Sequence, residues 1–321
     1  MAERTNSHRV LGCDVGQDRI VIFDSLSATT RSLDNKPAAL RRALAELVPQ
    51  PDERVLLVCE ATGGHETILL SLAWQAGIAA HQADPRKAHA FIRSLRSQAK
   101  SDSIDAQGLA RYGQERNDRL RRWQPTAQSQ QAIKSLVRLR TDLVRNRADY
   151  TRRLKAPSQG ADKAHIRATI EALTRCIQDL EADIDRQIEQ DPGLALTCAT
   201  IQDIPGCGPK TAIALAALMP ELGTINRKQA AALAGLAPHP NQSGNKDAYR
   251  RVRGGRRDVK SALFMAAMTA RRHNKTLKTH YESLIQRGKK PIVAIIAIAR
   301  RLITIINAKV RDAQKMKQQL C

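Results

Sequence analysis

The sequence predicts an α/β domain followed by an all-α region, and three observations carry that expectation. Short β-rich runs alternate with helical patterns up to residue 113, a period of threes and fours takes over from Ala127, and the excess of positive charge begins only after residue 115. The chain of 321 residues holds 53 Lys and Arg against 31 Asp and Glu. Residues 1–115 are balanced at 14 and 14, residues 116–321 hold 39 and 17, and residues 204–321 alone hold 23 and 5. A neutral first third joined to a strongly basic remainder suits a polyanion partner, because each cation that neutralises a phosphate releases a counterion.

The elements follow in order. Val10 to Val15 and Arg19 to Phe23 read as a hairpin around Gly16, Gln17 and Asp18. Pro37 to Val48 has helical periodicity, Val55 to Cys59 is a buried-strand run, Glu66 to Ala76 reads as a helix and Ile78 to Ala83 as another strand. Pro85 to Gly113 is mainly helical, with a break around Ser97 to Ser101. Hairpin, strand, helix and strand imply a mixed sheet covered by helices. From Ala127 to Leu154 and from Ile166 to Ile188, apolar residues recur every three or four positions, and Pro157 and Gly160 stand between the two runs. Two helices of roughly 28 residues, each about 40 Å long, form a coiled-coil hairpin that either packs as bundle core or protrudes to dimerise or to space two domains. After Ile201, helices are expected at 211–218, 227–236, 258–273, 276–286 and 291–311 around one polar loop, residues 237–257. The domain reading is therefore 1–122, 123–200 and 201–321.

Several classes drop out. The longest strongly apolar run, Ile292 to Ala299, is far short of the roughly 20 residues of a bilayer span, and the N-terminus has no apolar signal core, so no membrane partner is expected. The six cysteines form no Cys-x-x-Cys pair and have no clustered His, which supports neither a zinc site nor a disulfide framework. Aromatic residues at 3% argue against stacking platforms for bases.

Three places could carry chemistry. Asp14 and Glu60 each close a β run before a turn, at the edge where ligands of α/β sheets gather. Asp102 and Asp105, three apart, share one face of a helix. Four converging carboxylates are unfavourable without cations, and hard oxygen ligands suit Mg²⁺ or Mn²⁺. Two such ions about 4 Å apart can clamp the attacking and leaving oxygens of a phosphodiester. This layout is that of an RNase H-like, RuvC-type domain. Next, Ile204 to Ala212 resembles a helix-hairpin-helix turn in which Gly206, Gly208 and Lys210 hold a phosphate; an ordinary interhelical turn is the alternative. Last, Ser243 lies beside Lys246, Arg250, Arg251, Arg253, Arg256 and Arg257, cations that stabilise phosphate charge, although a solvated loop serine is the simpler reading and no His is spaced to act as its base.

LGCDVGQD, CEATGGHE, KSDSIDA, IPGCGPKTA, LAGLAPHPNQSG and GGRRDVKSAL, in this order around a coiled coil, resemble the DEDD transposases of bacterial insertion sequences and the related site-specific DNA invertases. The resemblance covers nearly the whole chain. It implies that Asp14, Glu60, Asp102 and Asp105 are a metal-binding tetrad and that Ser243 becomes covalently joined to DNA. It further implies a structured guide RNA, the bridge RNA, that pairs with donor and target DNA, a dimer or tetramer in which one subunit's carboxylates face another's serine, and a cytoplasmic, nucleoid-associated bacterial enzyme. The residues alone leave two alternatives open: a metal-dependent junction or RNA nuclease that uses water, and a non-catalytic nucleic-acid-binding protein.

Overall fold

A computed structural model describes residues 9–50, 54–95, 101–157, 160–243 and 246–320, with backbone alone for 161, 240–243, 246–251 and 320. The chain divides into two compact units, Met1–Thr126 and Ala127–Cys321.

The first unit is built on a five-stranded mixed sheet. β1 (Arg9–Val15), β2 (Arg19–Asp24) and β3 (Thr29–Asp34) form an antiparallel meander, α1 (Pro37–Leu47) follows, and β4 (Val55–Glu60) returns parallel to β1. α2 (Thr67–Gln75) leads to β5 (Ala79–Ala83), parallel to β4, and α3 (Pro85–Ser94) and α4 (Asp102–Arg116) complete the unit. The strand order is β3-β2-β1-β4-β5.

Strand side chains alternate between the two faces of the sheet, which assigns each helix to a face. Leu11, Cys13, Leu57 and Cys59 share a core with Leu40 and Leu44 of α1 and Leu69 and Leu70 of α2. Val10, Leu56 and Val58 pack on the other side with Ala88 and Phe91 of α3 and Leu109 and Tyr112 of α4. Because the central strands are buried on both faces, they read as continuous apolar runs. β3, exposed along almost its whole length, carries no such pattern, which is why the sequence did not announce it.

The second unit is largely helical. α5 (Gln128–Lys155) and α6 (Ala161–Gln190) are antiparallel, since Ser129 meets Asp191, Arg140 meets Glu181 and Arg147 meets Thr174. Ile133, Val137 and Ile184, near the base of this hairpin, are buried in the helical core, whereas Leu143, Tyr150, Ile166 and Ile170 farther out are half-buried. α7 (Pro192–Gln202), α8 (Pro209–Leu218) and α9 (Arg227–Leu233) precede a strand pair, β6 (Pro238–Ser243) and β7 (Lys246–Val252). α10 (Arg257–His273), α11 (Lys275–Gln286) and α12 (Pro291–Leu320) close the chain.

Two further features depart from the sequence reading. The polar loop expected at 237–257 is mostly an antiparallel β hairpin with a bulge between His239 and Asn241. Its base is fixed by backbone packing: a β-carbon on Gly255 would lie 2.1 Å from the Gly235 nitrogen. Both glycines have positive φ, a conformation that other residues adopt at a cost. And α12 contains a stretch long and apolar enough, by length and composition, to cross a membrane. Its Ile298, Leu302, Ile303 and Ile306 are instead fully buried in the helical core, the position of a central core helix.

Candidate active site

Cys13 of β1 and Cys59 of β4 are register partners, so Asp14 and Glu60, one residue further on, emerge side by side at the C-terminal edge of adjacent parallel strands. Cys13 and Cys59 face α1 and α2, and the alternation therefore puts both carboxylates on the face covered by α4. Gly12 is on that face too. A β-carbon there would sit 2.1 Å from the Ala106 carbonyl oxygen and 2.5 Å from the Ala110 nitrogen, so the glycine lets α4 rest on the strand backbone. Gly113 does the same from the helix side, where a β-carbon would meet Val10 of β1 at 2.7 Å and Val58 of β4 at 2.8 Å.

This close approach brings the first turn of α4, with Asp102 and Asp105, toward the two strand ends. Ser101 caps the helix through its hydroxyl, which accepts from the Ile104 N–H at 3.3 Å, and the two acids sit where the helix dipole favours negative charge. Burial pushes the Asp14 carboxyl up to about 6, and the charges of Asp102, Asp105 and Glu60 add to the rise. Burial also raises Glu60; His89 opposes that shift and Asp105 reinforces it. Asp14 is thus within the electrostatic reach of the other three acids, and Glu60 within that of Asp105. Their carboxylates are not in ligating register: among the described residues no group of three or more His, Cys, Asp or Glu is arranged to hold a metal ion. The donor set is nonetheless that of a hard divalent cation, all carboxylate oxygens whose mutual repulsion a cation relieves. An open cleft of about 440 Å³ lies beside it, lined by Asp14, Asp102, Gly16, Asp18, Arg19 and Ser32 among others.

Sequence reasoning missed the residues that hold this edge together. His89 of α3 places Nε2 3.5 Å from Glu60 Oε2. Glu66, 4% exposed, accepts from the N–H groups of Thr62 and Gly64, from the Thr62 hydroxyl and from the Gln82 amide, which fixes the turn after Glu60. Asn35 donates to the carbonyls of Gly16 and His65, tying together the turns that follow β1 and β4. An acid inside the glycine turn CEATGGHE was the one available signal; His89 and Asn35 had none.

The remaining candidates lie in the second unit. Ser243 ends β6 opposite Lys246, and Arg250 and Arg251 lie on β7; side chains there fall outside the described residues, as does Gly244. Arg253 and Arg257 are exposed. Arg256 donates to the Leu218 carbonyl and forms a two-pronged ion pair with Glu221, so it anchors the hairpin's exit to the α8–α9 connection. In the turn between α7 and α8, Gly206 has a φ of +105° and a β-carbon there would lie 2.5 Å from that of Ala270, so close packing accounts for it. Gly208, with open space around it, caps α8, and the exposed Lys210 reaches Glu181 at 3.2 Å.

A mixed sheet with clustered carboxylates at its strand ends, followed by a basic, largely helical region, is consistent with an RNase H-like enzyme acting on nucleic acid. A DEDD transposase family model matches residues 11–157, and the model described as Transposase IS116/IS110/IS902 family matches residues 198–282. The chain belongs to this family of insertion-sequence transposases. It is 29% identical over 274 residues to the pilin gene-inverting protein of Moraxella lacunata, 82% of either chain, and equally to that of Moraxella bovis. An uncharacterized 43.6 kDa protein of insertion element IS110 from Streptomyces coelicolor is 32% identical over 136 residues, 41% of this chain and 32% of its own.

Proposed function

We propose that this enzyme cuts and rejoins DNA with a divalent cation, Mg²⁺ or Mn²⁺, held by Asp14, Glu60, Asp102 and Asp105, and with Ser243 as the nucleophile. The observation that carries the reading is the arrival of all four acids on one face at one strand edge, with Asp14 pushed up to about 6 by burial and by the other three. When bound, the cation would neutralise the charge that builds on the phosphate during transfer. Ser243 would lose its hydroxyl proton and form a bond from Oγ to phosphorus, while the bond from phosphorus to one deoxyribose oxygen breaks and that oxygen takes up a proton. The resulting phosphoserine conserves the ester, so reversal onto another DNA hydroxyl rejoins strands without ATP.

Ser243 belongs to the compact unit that does not contain the tetrad. Pairing of subunits through the half-buried outer part of the α5–α6 hairpin is a route for one chain's serine to reach another chain's carboxylates. The helix-hairpin-helix-like turn and the Ser243 hairpin, with Gly206, Gly208, Lys210, Lys246, Arg250, Arg251, Arg253 and Arg257, would hold phosphates, and a guide RNA would supply sequence choice. Gel capture of protein joined to DNA tests the reaction. Wild type should yield a covalent species that Ser243→Ala lacks, with DNA binding unchanged; free 5′-phosphate ends and no adduct would instead indicate hydrolysis by water.

A further inference from the structure

Seven cations of the second unit form ion pairs with carboxylates among the described residues. Arg140 and Lys210 share Glu181, Arg145 meets Asp142, Arg152 meets Asp149, Arg186 meets Asp183, Arg256 meets Glu221 and Arg311 meets Asp312. One long stretch has no acid within it to pair with. Between Ser283 and Arg311 the sequence has no Asp or Glu, yet it carries Arg287, Lys289, Lys290, Arg300, Arg301 and, farther along, Lys309, all exposed and, among the described residues, none in an ion pair.

The antiparallel packing of α11 on α12 gathers the first five of these cations. After burial, the charges of Arg301, Arg287 and Arg300 are the causes that hold the His280 imidazole below its usual range, so three guanidiniums, from α12 and the turn before it, act on one ring of α11. Local structure explains only part of this. Arg287 caps α11, where a cation suits the helix dipole. Lys289 and Lys290 stand just before the N-terminus of α12, where the dipole disfavours them, and the first turn of α12 has no acid to offset them. Clustered like charge costs stability, and an external polyanion relieves it.

We propose that the α11–α12 surface formed by Arg287, Lys289, Lys290, Arg300 and Arg301 binds the phosphate backbone of duplex DNA, apart from the Ser243 hairpin. The proposal rests on the reading of the protein as a DNA recombinase. Lys290, just before α12, and Arg300, within it, are ten residues apart, about 15 Å at 1.5 Å per residue, comparable to the roughly 12 Å width of a major groove. The two ends of the patch therefore reach phosphates on either side of a groove. Tyr281, next to His280, is occupied by Arg271, which stacks on it at 5.2 Å and hydrogen-bonds its hydroxyl, so this ring is not a free platform for unpaired bases. Backbone contact of this kind supplies affinity and register without reading sequence.

The test is the salt dependence of duplex DNA binding by the full chain. Replacing Lys289, Lys290, Arg300 and Arg301 by Gln should reduce the slope of log K against log salt by about 2 to 4, at roughly 0.9 per lost contact on duplex DNA. The charge-keeping variant Arg300→Lys with Arg301→Lys should retain the slope, and circular dichroism should show both variants folded. Wild-type slope and affinity in the quadruple Gln variant would overturn the proposal even if the Ser243 adduct still forms. A slope lost toward duplex RNA but kept toward duplex DNA would overturn it in favour of RNA. If wild type itself binds DNA without salt dependence, the recombinase reading fails first.

Discussion

Gly12 of β1 and Ala106 of α4 approach so closely that a β-carbon on the glycine would lie 2.1 Å from the alanine's carbonyl oxygen. That contact sets the height of α4 above the sheet, and Asp102 and Asp105 ride on it. Gly12→Ala should therefore destabilise the protein by about 3 kcal/mol through overpacking. Lowering the temperature to refold the variant should not restore divalent-ion binding, because α4 must move away from Asp14. Normal ion affinity in a folded Gly12→Ala variant would show that the approach of α4 is immaterial to the site.

Asp14 carries the clearest electrostatic strain. Its folded carboxyl titrates near 6, above the ordinary value of 3.8, so the unfolded chain ionises first as pH rises. The folded state then binds the extra proton, and its stability falls as pH climbs through that window and stays lower above it. In chelator, Asp14→Asn should melt higher than wild type at pH 7, by about 1 to 2 kcal/mol after discounting the shift for partial exposure. The gain should vanish below pH 4.

Asp24 behaves in the opposite sense. Burial pushes its carboxyl up, but hydrogen bonds from Arg9, Leu26 and Ser27 and the charge of Arg9 outweigh burial and hold it below the usual range. Arg9 donates to both its oxygens, at 3.0 and 2.6 Å. A lowered acid stabilises the fold above the unfolded value near 3.9 and stops doing so as pH falls through the folded value. Asp24→Asn should cost about 2 kcal/mol at pH 7. Denaturant melts at pH 7 and below pH 3 should show that penalty present in the first and absent in the second.

Arg256 separates scaffold from chemistry in the basic segment. Its pairing with Glu221 and the Leu218 carbonyl assigns it to holding the hairpin's base. Arg256→Gln should lower stability by about 2 kcal/mol. Arg253→Gln and Arg257→Gln, both at exposed positions, should leave stability unchanged within about 0.5 kcal/mol and weaken DNA binding. Thermal melts of the three variants would settle the division.

The legibility of the sequence followed burial. β1 and β4 were readable because both faces are covered, and Asp14 and Glu60 stood out as polar ends of apolar runs. β3 is an exposed edge, and β6 and β7 have the compositions PHPNQS and KDAYRRV, so pairing there leaves no apolar alternation to detect. α7 escaped as well, since its sequence runs straight on from α6 with a Pro at its start. At the site the acids were visible by position along the chain. His89 and Asn35 were not, because each works through a contact that only the fold brings about.

Calorimetric titration of Mn²⁺ into the protein at pH 7.5 bears most directly on the claim that β1, β4 and α4 deliver four carboxylates to one cation site. Wild type should bind the ion, and Asp14→Asn, Glu60→Gln and Asp105→Asn should each weaken it at least about tenfold, some 1.4 kcal/mol, while Asp34→Asn, at the exposed end of β3, should not. Unchanged Mn²⁺ affinity in Asp14→Asn and Asp105→Asn would contradict the account.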